Sequence, residues 1–166
     1  MEVPSAEDSP MRRHRVGEIA REVPVPSPFT VEALGEAVER RRGRPLTLAA
    51  IPLPPGRDAV WVETASRDFI LYEPALPLPR QVRAIVHQAG HMCAGHRGIA
   101  SGDRVAPALF PGLDPAVVAA ELPAPAAFTH AEELDAEAFT TALLARIPLP
   151  PETNRHRSSQ PRGNAH

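Results

Sequence analysis

The chain has 166 residues, one domain's worth, and 43% hydrophobic content suffices for a single packed core. Aromatic residues make up only 4% and proline occupies 21 positions, so the core rests on Ala, Val, Leu and Ile, and collagen-like, coiled-coil and disulfide-scaffold organisations are excluded. Eighteen basic residues, all Arg, against 20 acidic ones give a net charge of −2, which argues against a dedicated nucleic-acid surface, and the single Cys93 forms no internal disulfide.

Residues 1–27 mix charges with Pro24 and Pro26; only Met11 to Val23 could make a short basic helix, and the segment reads mainly as a flexible arm. Thr30 is placed to cap a helix in which Val31, Leu34 and Val38 recur at three and four, ending near Arg42-Gly43 before Pro45. Leu46–Ile51, Ala59–Glu63 and Phe69–Tyr72 are β-rich runs separated by turn residues, and they predict a small antiparallel three-stranded meander. Leu78 to about His96 places Val82, Ile85, Val86, Ala89, Met92 and Cys93 on one helical stripe. Residues 97–128 read as irregular, with a short helix starting at Asp114-Pro115. Thr129 with Glu132 matches a capping box, and Leu134, Ala138, Phe139, Ala142 and Leu143 carry the last helix to Arg146. From Pro148 to His166 too few apolar side chains remain to offset the entropy of ordering, so this stretch reads as a disordered tail. The chain thus divides into an arm (1–27), a domain (28–147) and a tail (148–166). No stretch approaches 18 apolar residues and the start lacks a signal-peptide pattern, so a cytoplasmic protein without a membrane anchor is expected.

The chemistry concentrates in His87-Gln88-Ala89-Gly90-His91. Two histidines four apart project from one side of a helix and both reach a single metal ion. They lie nearly opposite the apolar stripe, beside the small residues Ala84, Ala94 and Gly95, as for a helix buried on one face with a cleft on the other. Asp135 shares the apolar face of the last helix with Phe139 and Ala142, where a carboxylate is costly unless paired or bound to a cation. Two readings stay open: the histidines and Asp135 hold zinc, or the histidines bond to backbone or Asp135 while Asp135 pairs with Arg83 or Arg80. His96, on the apolar stripe, reads as packed or capping, and Cys93 and Trp61 as core residues. Arg40 to Arg44 reads as a solvated helix terminus.

The run Ile85 to His96 resembles the zinc-site helix of the ImmA/IrrE-type metallopeptidase-like proteins, whose pattern is H-E-x-x-H followed by Gly-His. Asp135-Ala136-Glu137-Ala138-Phe139 is similar to that family's acidic-Ala-acidic-x-Phe segment. The resemblance spans about residues 29–147 and implies an α+β, zincin-like fold whose HxxxH helix packs on the small sheet. It also implies His87, His91 and Asp135 as zinc ligands, with Glu132 or Glu133 as alternatives to Asp135, and no organic cofactor. Gln88 stands where the family has the glutamate that takes a proton from metal-bound water. An amide does not titrate near neutral pH, so peptide hydrolysis by the family mechanism is expected to be weak or absent. The resemblance therefore points to a regulatory protein working with a separate helix-turn-helix transcription regulator and not binding nucleic acid itself. The alternatives are a zinc peptidase of narrow specificity, with Glu132 or Glu133 as base, and a toxin-like component of a two-gene module.

Overall fold

The computed structural model describes residues 10–100 and 128–150. Its elements are α1 (Pro10–Glu22), α2 (Val31–Arg42), β1 (Leu46–Ala50), β2 (Ala59–Glu63), β3 (Asp68–Tyr72), α3 (Leu78–Cys93), β4 (Ile99–Ala100) and α4 (His130–Leu144). The α+β expectation holds. The short helix expected from Asp114 lies outside the described residues, as does the tail beyond Pro150.

The predicted helix ends follow local chemistry. The Thr30 hydroxyl accepts from the Ala33 N–H at the start of α2, and Gly43 closes it with φ 70°, its N–H donating to the Glu39 carbonyl. Thr129 and Glu132 form the complete reciprocal capping box of α4.

Two expectations are corrected. From Pro10 onward, the segment expected to be a flexible arm forms α1. Val16, Ala20 and Val23 repeat at four and three and are buried in the main core, with α1 packed against α4. Arg146 secures the end of this helix by donating from Nη1 to the carbonyls of Ala20, Arg21 and Val23 at 3.0–3.1 Å.

The sheet, second, is not an antiparallel meander of three strands. Its order is β1-β3-β2-β4: β2 and β3 are antiparallel, but β1 joins the far side of β3 in parallel, and β4 adds to β2 in parallel at Val62 and Glu63. Residues 51–58, with Pro52, Pro54 and Pro55, are too many for a two-residue hairpin between β1 and β2. Their turn, closed by the Arg57 N–H on the Pro54 carbonyl, lies well beyond the end of β1, which leaves β1 free to cross. This puts the continuous apolar run Phe69-Ile70-Leu71 in a strand paired along both edges.

Alternation divides the sheet's faces. Trp61 and Ile70 join the helical core, with Leu46, Leu48, Ala59 and Tyr72 packed against it. Val60, Val62, Phe69 and Leu71 form a second cluster with Ala49, Ile51 and Leu53. No helix among the described residues is long and apolar enough to cross a membrane.

Candidate metal centre

Helices α3 and α4 pack closely because a small residue faces backbone. A Cβ on Gly90 would lie 3.0 Å from the Ala136 carbonyl oxygen and 3.1 Å from the Ala136 Cα. One turn away, each helix contributes an i,i+4 pair, His87 with His91 and Glu133 with Glu137, and the two pairs meet.

Glu133 Oε2 is 3.1 Å from His87 Nε2, Glu133 Oε1 is 3.6 Å from His91 Nε2, and the two Nε2 atoms are 3.3 Å apart. The far side of each ring is engaged as well. His87 Nδ1 is 3.1 Å from Glu137 Oε1, and His91 Nδ1 is 2.9 Å from His96 Nδ1. A carboxylate only accepts and both ring nitrogens of His87 face one, so a singly protonated ring donates to only one of them: in the tautomer with Nδ1–H on Glu137, a bare Nε2 is turned toward Glu133. Such a meeting of acceptors needs a positive centre between them, either the hydrogen of His91 Nε2 or a metal ion in its place.

The spacing fits a metal ion. Ligand atoms about 2.0–2.1 Å from a tetrahedral zinc stand roughly 3.3 Å from one another; the two Nε2 atoms are 3.3 Å apart, and the Glu133 carboxylate comes within 3.1 Å of the first through Oε2 and 3.6 Å of the second through Oε1. Glu137 on His87 and His96 on His91 are the outer partners that hold ligating imidazoles in one orientation.

Asp135 is placed elsewhere. Two residues along α4 is 200° of rotation from both Glu133 and Glu137, and the Asp135 carboxylate meets Arg12 Nε at 2.8 Å and His96 Nε2 at 3.3 Å. The expectation that a carboxylate on this buried face requires a partner holds, but the partner is Arg12 of α1, whereas Arg83 pairs with Glu137 and Arg80 with Asp58. The group able to hold a metal ion is His87, His91 and Glu133, so the acid named as an alternative takes the third place. Glu132 is tied into the capping box, and its carboxyl is held below the ordinary range chiefly by the Thr129 N–H.

His91 is fully buried, and the Phe128 ring stacks on it at 3.6 Å and 12°. Burial, then the neighbouring His87 and His96, push its pKa down to about 3. In the unfolded chain this ring takes up a proton near pH 6.5. The native state does not, so its contribution is present above pH 6.5 and is lost as pH falls toward 3. Urea midpoints of chelator-treated protein are expected to drop steadily across that window, with the drop reduced in His91→Gln. Cys93 is pushed up to about 11 by burial, which suits its expected role as a core residue.

The histidines open onto a cleft of about 740 Å³ between α3, α4 and the start of β2. Gln88 lines it, together with Arg57, Asp58, Trp61, Arg80 and Glu137. β4 pairs with β2 only at Val62 and Glu63; among the described residues no strand pairs with the cleft-side edge of Ala59–Trp61.

The basic run Arg40 to Arg44 is not simply solvated: Arg40 and Arg41 pair with Glu36 and Glu22, while Arg42 and Arg44 converge on buried Asp68. Sequence reasoning missed Glu137, Phe128 and Arg12. The one legible signal was the second i,i+4 pair, Glu133 with Glu137, whose period matches that of the two histidines. Compared with protein-family models, curated proteins and solved structures, the chain shows no significant match.

Proposed function

We propose that this chain is a zincin-like, zinc-binding domain of the ImmA/IrrE type that has lost efficient hydrolysis and acts as a regulatory module, working with a separate helix-turn-helix regulator. The observation that carries the reading is the convergence of His87 Nε2, His91 Nε2 and the Glu133 carboxylate beside a cleft in which Gln88 supplies an amide. Bound zinc would supply positive charge and Lewis acidity at that point. Glu137 and His96 orient the two rings, Phe128 shields His91 from water, and Gln88 donates or accepts a hydrogen bond without taking up a proton. The edge of Ala59–Trp61, unpaired among the described residues, borders the cleft, which favours an extended polypeptide as the bound partner.

The peptidase alternative is weakened by the fate of its bases. Glu132 is committed to the helix cap and Glu133 to the ligand group.

Mass spectrometry under native conditions is expected to find one zinc per chain, lost in a His87→Ala, His91→Ala double variant and retained in Gln88→Ala. Absence of zinc from the wild type would overturn the metal reading. Gln88→Glu is expected to introduce chelator-sensitive cleavage of a partner regulator that the wild type binds and leaves intact. Cleavage by the wild type itself would establish the peptidase instead.

A further inference from the structure

His96 is outside the ligand group, yet it is buried and both of its ring nitrogens are engaged. Nδ1 lies 2.9 Å from His91 Nδ1, while Nε2 lies 3.3 Å from Asp135 Oδ2 and 3.1 Å from Arg12 Nη2. Arg12 Nε is 2.8 Å from the same Asp135 oxygen. A guanidinium only donates and a carboxylate only accepts, so His96 Nε2 has one partner of each kind within reach.

Whichever partner it uses determines the rest of the row. When Nε2 of His96 carries a hydrogen and donates to Asp135, its Nδ1 is bare and accepts from His91 Nδ1–H. His91 then turns a bare Nε2 toward the cleft. When Nε2 of His96 is bare and accepts from Arg12, its Nδ1–H donates to His91 Nδ1, and His91 presents Nε2–H toward His87 Nε2, 3.3 Å away.

The proton count is the same in both arrangements. Passing from the second to the first moves one proton across the His96–His91 bond, releases the proton of His91 Nε2 to water and adds one from water at His96 Nε2.

We propose that Arg12, His96 and Asp135 form a tautomer relay that decides whether His91 offers the cleft a lone pair or a hydrogen, coupling metal binding to the seat of α1 on α4. The proposal rests on the metal-site reading above. All three are positioning residues: each acts through His91, and only the arrangement with His96 donating to Asp135 leaves His91 Nε2 able to bind an ion. Without metal, and with His87 donating from Nδ1 to Glu137, the second arrangement gives an unbroken donor order from Arg12 through His96, His91 and His87 to Glu137, whereas the first sets two bare Nε2 atoms 3.3 Å apart, so the second is the resting one. Zinc selects the other arrangement and moves His96 from Arg12 to Asp135.

The full chain, labelled with ¹⁵N-histidine, would be read by long-range ¹H–¹⁵N spectra without metal and with one equivalent of zinc, alongside competitive zinc titrations. Metal-free wild type is expected to show His91 as Nε2–H and His96 as Nδ1–H, both switching when zinc binds. Arg12→Ala, at the partly exposed end of the row, removes the donor. It should move metal-free His91 toward Nδ1–H without lowering zinc affinity. Asp135→Ala removes the acceptor and should lower zinc affinity roughly 10–100-fold. A loss of zinc affinity on removing one partner of an ion pair, with none on removing the other, is not what a purely structural pair produces. His91 nitrogens unaltered in metal-free Arg12→Ala would overturn the relay, and this readout needs no metal and only the surface-accessible variant to fold. If the wild type takes up no zinc, the metal-site reading fails by itself, and the relay is still judged on those metal-free spectra.

Discussion

Replacing Asp68 by Ala is expected to lower stability by about 3–5 kcal/mol, the cost of breaking a buried ion pair by removing one partner. Asp68 is fully buried at the start of β3. Its Oδ1 accepts from Trp61 Nε1–H at 3.1 Å, and its Oδ2 lies 3.4 Å from Nε of both Arg42 and Arg44. Arg42 also stacks over the Trp61 ring at 5.6 Å and donates to the Met92 carbonyl at the end of α3. Without the carboxylate, two guanidinium groups face each other across an apolar gap and the indole N–H loses its acceptor. Both arginines are less than a third exposed, so solvent screens little of the loss. For a domain of this size the melting temperature should fall by roughly 6–20 °C. Urea unfolding at constant m-value checks this: a change below 1 kcal/mol would mean the arginines reach water once the aspartate is gone. Asp68→Asn should recover part of the loss, because the amide oxygen still accepts from Trp61.

This cluster also shows which features were legible in the sequence and which were not. Helix ends were readable because caps are local: Thr30, Gly43 and the Thr129–Glu132 box act within a few residues of themselves. Strand segments were readable from their composition, but strand order was not. Whether β1 pairs with β2 or crosses to β3 depends on the path of Ile51–Asp58, and alternation within a strand carries no information about its neighbour. The same division holds at the site. His87 and His91 were found because one helix supplies both, and the need of Asp135 for a partner followed from its place on an apolar face. That the partner is Arg12, more than a hundred positions earlier in the chain, follows only from the docking of α1 on α4. The choice between Asp135 and Glu133 was a question of helix rotation. Matching acids to a motif in one dimension does not register that neighbours two apart point to opposite sides.

Gly90→Ala tests whether the close approach of α3 and α4 builds the site. In an exposed helix this exchange is favourable by about 1 kcal/mol. Here the added methyl would meet the Ala136 carbonyl oxygen at 3.0 Å, Ala136 Cα at 3.1 Å and Phe139 Cβ at 3.2 Å. Two of these three atoms belong to the backbone and the third is the rigid base of a buried side chain, so no flexible tip can swing aside. Relief requires the helices to part. The overpacking cost of about 1–3 kcal/mol then outweighs the gain in propensity, and the parting is transmitted to Glu133, one turn before the contact, drawing its carboxylate away from both Nε2 atoms. We expect lower stability together with at least about tenfold weaker zinc binding, an effect of the size seen when a ligand's support is lost. Gly17→Ala is the matched control. It also lies within a helix and is buried, but a Cβ there has nothing within 4 Å, so it should gain up to about 1 kcal/mol and leave zinc affinity unaltered. Denaturation curves and zinc titrations on the two variants give the comparison. Unaltered zinc affinity in a destabilised Gly90→Ala protein would show that Glu133 does not depend on the helix contact for its position, and that α4 can shift while its carboxylate stays in reach of the histidines.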